Sequence, residues 1–249
     1  MDTLTLIAIA TAAFLLAGLV KGLAGIGLPT AAIAFMTLFL DPRTAIALVL
    51  FPMIGSNFWQ MIRGGEILRT ARRYALFGVI LFLGVGATAY GTQNASDRAL
   101  LAILGVAILI FVVASWRKMV PQLAERYDPI AQVGFALLCG FVGGMTAAWG
   151  PMLAMYLTTK GVDKDEFIRA AGFLITIGSI PLIFAYAEIG FLTGPLAGVS
   201  TAMLVPTLLG FTAGEYIRNR MSIEAFRNAM LIVFVFLGLN LIRRAIWYG

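Results

Sequence analysis

Lys21 is the residue of this sequence best placed to do chemistry. It lies between Val20 and Gly22 in an apolar run, directly before a glycine-rich stretch that ends in proline. A lysine at membrane depth costs about 2.5–3.5 kcal/mol even on insertion scales, so it is a functional candidate by default. Its ammonium suits the charge of a bound anion. The plainer alternatives are that it bonds the orphan carbonyls ending its own helix, or that it snorkels to the surface.

The stretch beside Lys21 occurs twice. Residues 18–29 read GLVKGLAGIGLP and residues 140–151 read GFVGGMTAAWGP. One offset of 122 residues pairs Gly18 with Gly140, Gly22 with Gly144, Pro29 with Pro151, Asp41 with Asp163 and Glu66 with Glu188. Proline is favoured in the first turn of a helix, where its missing N–H is not needed. Pro29 and Pro151 therefore mark helix starts. Such a start presents unpaired N–H groups and the positive end of the helix dipole. Glycines let the backbone come close to a ligand. Gly22, Gly25 and Gly27, with Gly144, Thr146, Trp149 and Gly150, are thus candidate anion-binding positions. The competing explanation is close helix packing through small residues. The counterpart of Lys21 is Gly143, so a site built here is asymmetric.

A second set of polar residues follows. Ser56, Asn57 and Gln60 interrupt an apolar segment, and Ser56 and Gln60 share one helix face. Their counterparts fall at Gly178 and Ser179, near Thr176. Hydroxyls and amides here suit anion oxygens, and interhelical hydrogen bonding is the alternative. Glu66 and Glu188 lie near the membrane boundary. Each is either a carboxylate for proton coupling or a solvated loop-end acid, with Arg63 or Arg69 as partner for Glu66; the second reading is preferred. Asp41 and Asp163 are expected to cap the helices that follow them. Arg169 either faces an inner vestibule or snorkels.

These residues must be held by membrane helices. The chain of 249 residues is 61% hydrophobic and 12% charged, with a mean hydropathy of +0.95. Soluble domains are nearer 45–50% apolar and about 25% charged. The apolar run that opens the chain lacks a basic n-region and a cleavage site, so it reads as a membrane element. One cysteine, Cys139, and no histidine exclude an intrachain disulfide and His-ligated metal sites. No Walker sequence or catalytic constellation appears, and no metal or cofactor is expected. The basic runs at 69–73 and 117–118 lack interleaved aromatics and do not suggest nucleic acid.

Apolar segments fall near 4–21, 29–40, 44–62, 74–92, 99–116, 130–146, 151–160, 168–187, 195–213 and 224–242. A crossing helix needs roughly 17–25 residues. Segments 29–40 and 151–160 fall short and occupy matching places. Each either crosses as a short helix or returns from the midplane as half of a hairpin, and the hairpin is preferred because it buries the break in protein. Both readings give each half an odd number of crossings, which inverts the second half. Residues 1–116 form the first repeat, 117–129 a cytoplasmic connection, and 130–249 the second repeat. With the 63–73 loop inside, Arg117, Lys118, Arg126, Lys160, Lys164, Arg169, Arg218, Arg220 and Arg227 also fall inside. Only Arg43, Arg98, Arg243 and Arg244 fall outside, as the positive-inside rule expects. Both termini are then periplasmic.

The arrangement resembles the sulfite exporter TauE/SafE family of anion permeases. GLVKGLAGIGLP, its copy GFVGGMTAAWGP, the length and the duplication carry the resemblance over nearly the whole chain. The second copy departs from the pattern, with Ala147, Ala148 and Trp149 where the first has Gly25, Ile26 and Gly27. The resemblance implies secondary transport of sulfite, organosulfonates or other small acids. The expected fold is an all-α polytopic membrane protein of two inverted repeats, each opening with a Gly/Pro-broken helical hairpin. The expected function is alternating-access transport of a small oxyanion across the inner membrane at a midplane site built from Lys21 and the two breaks, with export as the expected direction. A small-carboxylate carrier, an anion channel and a non-transporting assembly scaffold are the alternatives. The expected partners are a small anion and the lipid bilayer, with a homo-oligomer left open.

Overall fold

The computed structural model describes residues 3–116, 123–218, 220 and 223–247. Arg117 and Lys118 of the connection, and the side chain of Arg227, lie outside the described residues. Among the described residues the fold is helical throughout. The helices are α1 Thr3–Ala24, α2 Leu28–Met36, α3 Pro42–Gly64, α4 Ile67–Arg73, α5 Ala75–Ala89, α6 Asp97–Trp116, α7 Asp128–Thr146, α8 Gly150–Thr159, α9 Lys164–Glu188, α10 Gly194–Ala202, α11 Leu204–Arg218 and α12 Ile223–Trp247. Seven helical stretches among the described residues have the length and hydropathy to cross a bilayer. The protein is a multi-pass membrane protein.

The local chemistry explains the boundaries. Asp41 accepts from Thr44 N at 2.9 Å and caps α3; Asp163 accepts from Glu166 N at 2.8 Å and caps α9. The two caps stand 122 residues apart, as expected. At α2 and α8 proline occupies the first turn. These helices have 9 and 10 residues, or roughly 14–15 Å at 1.5 Å per residue, too short to span. The segment expected at 195–213 is divided at Met203, because Pro206 has no N–H for the Ala202 carbonyl. The arginines at 69–73 sit on a separate helix, α4, where a loop was expected. Helix α7 begins at Asp128, two residues before the expected segment. Inside α3, Pro52 frees the Leu48 carbonyl, and Ser200 of α10 donates to it at 2.8 Å.

Helices pair across the two halves of the chain. Helix α1 lies beside α11, where a side chain on Gly18 would strike the Thr207 carbonyl and one on Gly22 the Phe211 carbonyl. The glycines Gly210 and Gly214 of α11 approach Leu15 and Leu19 in the same order, so the two helices run parallel. Helix α7 lies beside α5 in the same way, with Gly140 on Gly84 and Gly144 on Val85, Thr88 and Ala89. Thr88 Oγ1 donates to the Gly140 carbonyl at 2.8 Å across this contact. Lipid tails are as apolar as leucine, so close backbone contact drives such pairs. The centre of the bundle is made by α3 against α9. Gly64 meets Arg169 and Gly172 meets Asn57 and Met61, an antiparallel pairing. Helices α6 and α12 are also antiparallel, through Gly105 on Ile242 and Gly238 on Leu109.

Candidate functional site

The first break follows directly from its backbone. Helix α1 ends at Ala24, and Gly25 (φ 78°) and Gly27 (φ 97°) turn the chain through left-handed conformations into α2. The second break repeats the first of these turns: Ala147, the counterpart of Gly25, has φ 57°. It does not repeat the second, for Trp149, the counterpart of Gly27, has φ −94°. An ordinary φ there admits a large side chain.

The two helix starts meet. A side chain on Gly150 would stand 3.7 Å from Gly27 N. Residues Gly27 to Thr30 and Trp149 to Met152 are all buried. Neither start has a side-chain cap. Thr30 Oγ1 and Trp149 Nε1 are buried and have no hydrogen-bond partner among the described residues. Uncapped N–H groups and spare side-chain donors thus collect where two helix dipoles point inward.

Lys21 is fully buried. Its Nζ donates to Asn57 Oδ1 at 2.6 Å and lies 5.7 Å from the centre of the Phe211 ring. Asn57 is oriented in turn by Nδ2 donating to the Met53 carbonyl at 2.7 Å. Lys21 therefore does not snorkel. Gln60, one turn further along α3, donates to the Gly25 carbonyl at 3.1 Å and the Ile168 carbonyl at 2.8 Å. It ties the first break to α9. Its Oε1 is buried without a partner among the described residues. The sequence placed Gln60 on the right helix face and did not single it out for this role; its spacing of four from Ser56 was the available signal.

The other expected site residues are placed as follows. Gly22 and Gly144 face α11 and α5 and serve close packing. Ser56 donates to Met53 O at 3.3 Å, Thr146 to Val142 O at 2.7 Å, Thr176 to Gly172 O at 2.7 Å and Ser179 to Ile175 O at 2.6 Å. Their protons are engaged by their own helices. Trp149 is slotted between Gly143 and Gly178, where added side chains would come within 2.5 Å and 2.9 Å of its ring. Glu66 is exposed and pairs with Arg69 at 3.2 Å and Arg169 at 3.7 Å. Glu188 is exposed and accepts from Tyr90 Oη at 2.5 Å. Neither has the burial that a proton-coupling carboxylate needs.

A second polar cluster escaped the sequence reading. Asp128, at the start of α7, accepts from Tyr156 Oη at 2.9 Å, from Gln132 Nε2 at 2.9 Å and from Lys160 Nζ. Glu166 accepts from Arg73 at 2.8 Å and from Tyr74 Oη. Burial first, and then the bond to Glu166, push the Tyr74 hydroxyl above its ordinary range. The cluster fastens the start of α7 to the end of α8, and α9 to the start of α5.

Searches of curated proteins and of solved structures returned no match. The family model described as Sulfite exporter TauE/SafE matches residues 10–241, a stretch that holds both breaks, Lys21 and the helix pairs around them. The family is one of membrane transporters of sulfite- and sulfonate-type anions. By a match over nearly all of its length, this chain belongs to the sulfite exporter TauE/SafE family.

Proposed function

We propose that the chain is an alternating-access carrier of sulfite or a small organosulfonate in the inner membrane, built from two inverted repeats. The observation that carries this reading is the meeting of two buried, uncapped helix starts at Gly27 and Gly150. Inversion is supported by the antiparallel course of the mates α3 and α9, and of α6 and α12, which occupy equivalent places 122 residues apart. Hairpins are supported by the reach of Gln60, near the end of α3, to Gly25, while α2 leads into the opposite end of the same helix. The loop charges favour periplasmic termini.

In this mechanism backbone N–H groups at the two starts replace the anion's hydration, and Lys21 offsets its charge. Thr30 and Trp149 supply further donors. Ser56, Thr176 and Ser179 shape the site while bonded to their own helices. One bundle then rocks against the other. An inside-negative potential favours exit of an uncoupled anion by about 2.3 kcal/mol per charge per 100 mV.

The test is a ligand screen on purified protein in detergent, wild type beside Lys21→Ala. Thermal stability is followed with sulfite, sulfoacetate, taurine, acetate, sulfate and chloride, since a ligand of the folded state raises it by mass action. Stabilisation of the wild type by sulfite or sulfoacetate, lost in the variant, is expected. Preference for acetate would replace the sulfur anion by a carboxylate. No response to any anion would end the carrier reading.

A further inference from the structure

Lys21 has a surrounding that does more than attract an anion. It is fully buried, and among the described residues no carboxylate lies within ion-pairing distance. Its hydrogen-bond partner is the neutral amide oxygen of Asn57. That oxygen can accept from an ammonium, more strongly, and from a neutral amine, so Asn57 keeps a bond to either form of Lys21. A carboxylate in its place would hold the proton permanently. We propose that Lys21 is the proton carrier of the transport cycle, taking up one proton with each anion and giving it back after the anion leaves. The proposal rests on the carrier reading above.

The groups around Lys21 fit this role. From α11 come the Phe211 ring and Glu215, whose backbone lies against Gly22, the residue after Lys21. Glu215 is itself committed to Arg63 of α3 at 2.9 Å and to Arg218 at 3.7 Å. Helix α3 otherwise offers Asn57, and α2 has no ionisable residue. Helix α12 brings Phe234 to Gly27, and its ionisable residues stand toward its two ends, Glu224 and Arg227 at one and Arg243 and Arg244 at the other. With the anion bound, the ammonium faces an opposite charge. With the anion gone, its nearest partners are a neutral amide and a ring, and Glu215 stays engaged with Arg63 and Arg218. One proton then passes from Nζ to water in the open vestibule and leaves a neutral amine. The empty carrier resets, and Nζ takes a proton from water on the other side. A monoanion thereby crosses with no net charge, and its flux responds to pH gradients.

The experiment uses the full chain in vesicles with the membrane potential clamped at zero. Methanesulfonate is the probe, because it carries no titrating proton near neutral pH. Counterflow of labelled methanesulfonate is measured beside the luminal pH during net uptake. The expected result is luminal acidification of one proton per anion in the wild type. In Lys21→Arg, which cannot release its proton, the ratio of net uptake to counterflow falls at least tenfold. Counterflow and net uptake without a pH change overturn the proton role and leave the carrier standing, as does an unchanged ratio in Lys21→Arg. Absence of flux of both methanesulfonate and sulfite in the wild type overturns both, and sulfite flux without methanesulfonate flux moves the same pH measurement to sulfite at a pH where bisulfite predominates.

Discussion

The two breaks are built on one plan and filled in opposite ways. In the first copy a long side chain stands at position 21 and a glycine at 27. In the second a glycine stands at 143 and a tryptophan at 149, the matching places. Each copy has one long side chain and one glycine, with the order exchanged. The Trp149 ring occupies the space over Gly143, where a counterpart of Lys21 would otherwise begin. Gly27 in turn has the left-handed φ that Trp149 lacks. One break carries charge and the other carries bulk. Two symmetric lysines would repel each other in a small buried site, and two tryptophans would fill it.

The largest expected effect breaks the bulky copy. Trp149→Ala removes a fully buried ring from between Gly143 and Gly178 and should cost about 3–5 kcal/mol of stability. Thermal unfolding in detergent measures it; an unmoved midpoint would mean that bulk does not hold this break. Next come the packing glycines, at which the two copies should behave alike. Gly22→Val and Gly144→Val place atoms on the Phe211 carbonyl and on Thr88 Oγ1, each at a cost of about 1–3 kcal/mol. Gly134→Val, with nothing near its added carbon, serves as the reference. If only one of the pair is destabilised, the copies differ in packing as well as in filling.

The charged copy is addressed by Lys21→Ala. Loss of a charge-assisted contact is worth about 1.5–3 kcal/mol, or roughly ten- to hundredfold in affinity. Titration of sulfite or sulfoacetate against the variant reads it directly, and equal affinity would remove Lys21 from the site. The smallest effect lies at the caps. The Glu166 backbone N–H holds the Asp163 carboxyl below the usual carboxylate range. A lowered folded value means that this stabilisation is complete above the ordinary carboxylate range and is lost as pH falls through the folded value. Asp163→Asn should keep the cap and flatten that acid dependence, seen as a smaller drop in unfolding temperature between neutral and acid pH.

What could be read from the sequence was local. Pro29, Pro151 and the two aspartates announce helix starts through chemistry within three or four residues, and the structure has helices there. The burial of Lys21 follows from its apolar surroundings. What could not be read depends on a distant partner. Nothing near Gly22 or Gly144 indicates that a helix backbone lies against it, nor that the Ser56, Thr176 and Ser179 hydroxyls turn back on their own helices. Asp128 looked like a residue of the polar connection, because Tyr156 and Lys160, which bury it, come a full hairpin later.

The parallel pairing of helices also sets a timetable for synthesis. Helix α7 finds α5 already made, since Gly84 precedes Gly140 in the chain. Helix α1 precedes α11 by roughly 190 residues, yet its glycine face is covered only when α11 arrives. At about 5–20 residues per second that wait lasts on the order of ten to forty seconds. For that interval a helix carrying a buried lysine stands in the bilayer without the neighbour that shields it. The nascent chain therefore has a long window in which α1 can slip out or pair wrongly.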